Sequence, residues 1–100
     1  MGFWARLFGR VSAEDRKTQE VGRVDTYFRK AGVVALKLNR KLEVGEEILV
    51  RGATTDFAQR VKSMQIEHEA VDAARRGAEV GIKVRYRCRP GDRVFRILPA

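Results

Sequence analysis

The sequence is poor in the residues from which most catalytic and metal centres are built. It holds one cysteine, Cys88, and one histidine, His68. A lone cysteine excludes an internal disulfide framework, and a lone histidine removes most metal and acid–base constellations. Only two prolines are present, and no low-complexity tract or internal repeat occurs. No apolar run approaches the roughly 18 to 20 residues of a membrane-spanning helix. No Gly-x-x-x-x-Gly-Lys-Ser/Thr loop exists to cradle a nucleoside triphosphate. The lack of βαβ alternation argues against a nucleotide-binding α/β sheet. These absences lead to an expectation of no enzyme, no metal, no cofactor and no bound nucleotide.

What is there is a folding composition. The chain has 100 residues, 44% of them apolar, which suits one domain with a modest core. Its net charge is +8. Residues 1–20 contribute +1, and the rest carries +7. Much of that excess lies in Lys83, Arg85, Arg87, Arg89, Arg93 and Arg96, opposed there by Asp92. A basic balance attracts polyanions by long-range field without choosing among them.

The first residues read Met-Gly-Phe-Trp-Ala-Arg-Leu-Phe-Gly-Arg-Val. They are too charged for a secretory signal, and Arg6 breaks the myristoylation pattern, so a cytoplasmic location is expected. On a helix, Phe3, Trp4, Leu7, Phe8 and Val11 fall within an arc of about 140°. Such a face suits a membrane surface, a partner's groove or the chain's own barrel. Residues 12–20 lack an apolar stripe and read as a linker.

From Val21 the pattern changes to period 2. Alternation predicts strands over 21–28, 33–38, 46–51, 57–67, 80–88 and 93–98, with turns at Lys30-Ala31-Gly32, Glu43–Glu46 and Pro90-Gly91-Asp92. The 57–67 strand changes parity near Ser63, which predicts a β-bulge there. Ala70 to Arg76 reads as a short helical turn ended by Gly77. The whole predicts a small all-β barrel over residues 21–98, preceded by an amphipathic segment and linker over 1–20.

The chemistry-bearing candidates are few. His68 lies between Glu67 and Glu69 but has no adjacent nucleophile, so it reads as a polar residue at a strand end. Strand parity places Cys88 with Ile82, Val84 and Tyr86, as a buried structural thiol. The patterned polar feature is the row Lys83, Arg85, Arg87 and Arg89, which a strand would present on one face over roughly 20 Å. That row could track a phosphate backbone, with steep salt dependence, or pair with acidic side chains. Arg23 and Lys62 could extend it.

Several segments carry a family resemblance. Val21-Gly22-Arg23-Val24, Leu42 to Ile48 (L-E-V-G-E-E-I), Val61 to Gln65 (V-K-S-M-Q), Ala74 to Val84 (A-R-R-G-A-E-V-G-I-K-V) and Pro90 to Val94 (P-G-D-R-V) resemble, in that order, domain 2 of elongation factor Tu and its relatives. Gly52 to Phe57 and Ser63 to His68 also resemble the C-terminal barrel of collagenase-like peptidases, whose members are tied to RNA modification. The resemblance implies a closed six- to seven-stranded antiparallel Greek-key barrel and a place in translation or RNA metabolism. These 100 residues themselves contain neither a GTPase domain nor a peptidase body. The resulting expectation is a non-enzymatic domain that contacts RNA or a ribonucleoprotein through Lys83, Arg85, Arg87, Arg89, Arg23 and Lys62. The alternative is a protein-interaction or membrane-associated adaptor that docks through Phe3, Trp4, Leu7 and Phe8.

Overall fold

The computed structural model describes residues 17–99. Among these, every regular element is a strand: β1 (Thr18–Phe28), β2 (Val33–Lys37), β3 (Leu42–Glu43), β4 (Glu47–Arg51), β5 (Asp56–Arg60), β6 (Met64–Ile66), β7 (Glu69–Val71), β8 (Ala73–Ala74), β9 (Glu79–Lys83) and β10 (Arg93–Ile97). The all-β expectation holds. Eight of the strands form one antiparallel sheet in the order β5-β4-β10-β1-β2-β9-β6-β7, and β3 pairs with β8 beside it.

The sheet bends at β1. The first half of that strand pairs with β10 and the second half with β2. Its register slips twice, between Glu20 and Gly22 and between Val24 and Thr26. Each irregularity adds local twist, so the sheet curls. Gly22 sits where a side chain has no room: a Cβ there would lie 2.7 Å from the Lys37 carbonyl oxygen and 2.9 Å from a Leu36 methyl.

The curl wraps one face around the core. Val21, Leu36, Leu42, Ile48, Val50 and Ile82 are fully enclosed there. Leu36, Ile48, Val50 and Ile82 are the inward members of their period-2 runs; in β1 the register slips break the alternation, so Val21 and Val24 are enclosed and Phe28 is exposed.

Three details differ from the sequence reading. The long strand at 57–67 is two strands in different parts of the sheet: β5 pairs with β4, and β6 with β9 and β7. The parity change near Ser63 is therefore a corner, not a bulge. The backbone crosses it with Val61 N–H donating to the Glu46 carbonyl and Gly45 N–H to that of Val61. The helical turn at 70–76 is absent. Its residues finish the β6–β7 hairpin and form β8, because partners at Met64–Ile66 and Leu42–Glu43 are available to pair with them. Gly77 is left-handed (φ 91°), but it serves a tight turn before β9 and not a helix end. Finally, β1 starts at Thr18, inside the stretch read as linker.

The strand order leaves β5 and β7 as the two ends of the eight-stranded sheet, and no ladder joins them among the described residues. The architecture is a curled sheet, a half-barrel, where a closed barrel of six or seven strands was expected. A side chain ties β5 to the end of β9 instead. Gln59, 7% exposed, donates to the Lys83 carbonyl at 2.9 Å and accepts from the Arg85 N–H at 2.9 Å.

Candidate binding groove

The predicted basic row is not one strand face. β9 ends at Lys83, and Arg85, Arg87 and Arg89 follow on irregular backbone. The strand stops where its partners do, since Val33 is the first residue of β2 and pairs with Lys83, and Met64 is the first of β6 and pairs with Ile82. Lys83 reaches across to the Ala31 carbonyl. The Arg89 N–H binds the buried Asp92 carboxylate at 2.8 Å. Arg23 stands on β1, 3.7 Å from Glu20. Lys62 is exposed on the corner between β5 and β6. All six of these cations are exposed, on β1, at the end of β9, on the irregular backbone after it and at the β5–β6 corner. Phe3, Trp4, Leu7 and Phe8 lie outside the described residues.

Cys88 is a buried free thiol, as expected. Burial, reinforced by the negative charge of Asp92, pushes its pKa up to about 12. A thiol this reluctant to ionise is a poor nucleophile at neutral pH.

A more coherent site lies on the outer side of β1, β2, β9 and β6. Val34, Leu36, Val80 and Ile82 of these strands point to the core, which leaves Val33, Ala35 and Gly81 on the outside. Gly81 stands opposite Ala35 on one side and Gln65 on the other. With no side chain there, the sheet surface has a depression, and a Cβ at 81 would approach a Val33 methyl to 3.2 Å. Phe28, 51% exposed, stands opposite Val33 and forms one wall. The other rim is Gln65, Glu67, His68 and Glu79. The hollow measures about 210 Å³.

The turn that supplies Glu67 and His68 is conformationally costly. Both residues have positive φ, 50° and 69°. Two-residue hairpin turns of this kind favour Asn-Gly or Asp-Gly, because a side-chain-bearing residue in left-handed backbone crowds its own carbonyl. The sequence instead places two large polar groups there, at the mouth of the hollow. His68, expected as a strand-end residue, is a turn residue with two carboxylates sharing its site. No serine, threonine or cysteine is among the residues that line it.

A second hollow, about 200 Å³, lies by Tyr86, Arg87, Thr54, Thr55, Asp56 and Phe57. Tyr86 is 49% exposed and stands edge-on to Phe57, with ring centroids 5.2 Å apart. Sequence reading missed both hollows. The signal for the first was Gly81 inside a strand pattern, which marks a bulge or close approach; Phe28 gave none, because its parity matches buried Val24 and only the register slip between Val24 and Thr26 turns it outward.

No protein-family model matches the chain. It is 42% identical over 77 residues to an uncharacterized protease of Methanocaldococcus jannaschii, covering 76% of this chain and 19% of that protein. It is 31% identical over 98 residues to a collagenase of Porphyromonas gingivalis, covering 96% of this chain and 27% of the collagenase. Among solved structures, it matches the C-terminal domain of a Geobacillus thermoleovorans protein assigned to the U32 peptidases. That match has a TM-score of 0.73 at 22% identity, over 78% of this chain and 91% of the domain. The chain has the fold of that domain.

These findings correct the expected function. The relatives carry protease and collagenase names, which overturns the assignment to translation or RNA binding. The same names run against the expectation that the chain is not an enzyme. Of the two likenesses seen in the sequence, the collagenase-like one is supported, and the link to elongation factor Tu is not.

Proposed function

We propose that this chain is the accessory barrel of a U32-type peptidase and holds an extended polypeptide segment in the Gly81 groove. The likeness to protease and collagenase sequences supports a peptidase context. The observation that carries the binding role is the groove itself: an apolar floor of Val33, Ala35 and Gly81, an exposed Phe28 wall and a carboxylate rim of Glu67 and Glu79. A hollow this small takes one side chain of the segment. Its lining fits an apolar side chain whose neighbour carries a positive charge. On a protein of net charge +8, an acidic rim is a local exception, and it discriminates among peptides by charge as well as shape. We also infer that the sheet works as a closed barrel over residues 21–98, with Gln59 tying β5 to the end of β9.

The test is titration of fluorescent peptides in which Leu is flanked by Lys or, in a control, by Glu. The Lys-flanked peptide is expected to bind more tightly, with an advantage that shrinks at high salt. Gly81→Val fills the groove and should weaken binding about tenfold, or ~1.4 kcal/mol. Equal binding of both peptides, or an unaltered affinity in Gly81→Val, would overturn the assignment.

A further inference from the structure

A third hollow, of about 480 Å³, opens past the ends of β2 and β9. It is lined by Glu20, Asn39, Arg40 and Arg76, every one of them polar or charged. Three stretches of backbone converge on it. The Asn39 N–H donates to the Val21 carbonyl of β1 at 2.8 Å, and the Gly77 N–H to the Leu38 carbonyl at 2.7 Å. Arg76 lies in a tight turn, closed by the Ala78 N–H on the Arg75 carbonyl at 3.0 Å and made possible by left-handed Gly77.

The charges of this hollow are out of balance. Glu20 supplies its one carboxylate, and that group already holds Arg93 at 2.6 Å and has Arg23 at 3.7 Å. Arg40 and Arg76 are exposed and pair with no carboxylate among the described residues. Four guanidinium groups thus share a neighbourhood with one carboxylate. An incoming anion relieves that excess, and the planar fork of arginine suits a carboxylate, which it holds through two parallel hydrogen bonds. The Glu20 carboxylate opposes a doubly charged phosphate more strongly than a singly charged group.

The hollow also follows on the Gly81 groove. Glu20 and its partner Arg93 stand on the outer side of the sheet, since Val21 and Val94 beside them point to the core. Glu79 of the groove rim is the register partner of Lys37. Arg40 comes three residues after Lys37, and Arg76 three residues before Glu79, so each lies within about 11 Å of that pair along the chain. Three residues of an extended peptide cover the same distance.

We propose that Arg40 and Arg76, with the Asn39 amide, form a carboxylate site for the segment held in the groove. They would engage an acidic side chain about three residues beyond the base that meets Glu67 and Glu79. The inference rests on the peptide-binding reading of the groove. It adds an acidic position to the apolar and basic ones, so the preferred segment has the order apolar, basic, acidic.

The test is titration of fluorescent peptides that carry Leu-Lys-Ser-Ser-Glu or Leu-Lys-Ser-Ser-Gln, each also in reversed order to cover both chain directions. In one direction, the Glu peptide should bind about fivefold more tightly at low salt and lose that gain at high salt. Arg40→Gln with Arg76→Gln should erase the gain and leave the affinity of the Gln peptide unaltered. Arg75→Gln, at an exposed position outside the hollow, should keep the gain. Equal binding of the Glu and Gln peptides in both directions would overturn the proposal while leaving the groove reading intact. So would a gain that survives in the double variant. Inorganic phosphate that competes with the Glu peptide better than acetate at equal ionic strength would assign the hollow to phosphate and defeat it too. Absence of binding by every peptide would refute the groove reading, and this inference with it.

Discussion

Gln59 acts in this fold as a short piece of main chain. Its amide presents one donor and one acceptor, as a residue of a neighbouring strand would, to Lys83 and Arg85 across a gap that no strand fills. Replacement by Ala leaves those two backbone groups without their partner. The expected loss is about 2 kcal/mol in urea unfolding, within the usual cost of unsatisfied buried groups. A loss under ~0.5 kcal/mol would mean that water replaces the amide readily. The alternation of Phe57, Gln59 and Val61 showed that Gln59 points inward. It did not show what the side chain meets, which depends on two residues that lie 24 and 26 positions later.

Cys88 is buried as expected, but not through strand parity, since it lies beyond the end of β9 and Tyr86, of the same parity, is exposed. Its raised pKa has a thermodynamic consequence. The folded state holds the thiol proton up to about pH 12, while the unfolded chain releases it near 9. The unfolded state therefore binds fewer protons between these limits, and stability falls as pH rises through them, by at most ~1.4 kcal/mol per unit. Cys88→Ala should flatten this part of the stability profile relative to the unaltered chain. Identical alkaline slopes in the two proteins would contradict the assignment.

At the scale of elements, strands were more legible than their partners. Period-2 alternation marks a strand wherever one face is wet, but nothing local in the sequence says which strand lies alongside. That is why residues 57–67 read as one strand when they belong to two distant places in the sheet, and why Ala70–Arg76 read as a helical turn: Ala70 and Val71 close a hairpin whose Glu67-His68 turn carries no hairpin signal, and Ala73–Ala74 pair with distant Leu42–Glu43. The curvature of β1 depends on Gly22, whose position is filled by Lys37 and Leu36. Gly22→Ala should cost about 2 kcal/mol through overpacking and loosen the pairing of β1 with β2. Thermal unfolding would check the first effect and amide exchange the second; an unchanged melting temperature would show that the strands part without cost.

The β6–β7 turn offers the opposite experiment. Asn at 67 and Gly at 68 suit left-handed backbone, so the double substitution Glu67→Asn with His68→Gly should stabilise the fold by about 1 kcal/mol. It should also reduce peptide binding, since it removes one carboxylate and the imidazole from the groove rim. A gain in stability with undiminished binding would separate the turn's strain from the groove's function.

For the molecule as a whole, total charge was the least informative quantity. Several cations oppose carboxylates: Arg93 and Arg23 at Glu20, Arg96 at Glu46, Lys41 at Glu43 and Arg51 at Asp56. A net charge of +8 is the sum over such a surface, and its sign is opposite to that of the groove rim. The groove could not be read from the sequence because it arises from Gly81 meeting Ala35 and Gln65 across two ladders.

The pairing of Thr18 with Ile97 bears on how this barrel carries load. In an antiparallel pair, these two residues sit side by side at the same end of their strands. Tension applied through them pulls along the direction of the hydrogen bonds and loads one pair at a time, so β1 and β10 would open like a zip. Strands pulled from opposite ends must instead break all their bonds together. Stretched through residues 18 and 97 in a single-molecule pulling experiment, the barrel should therefore yield at low force and begin at this seam.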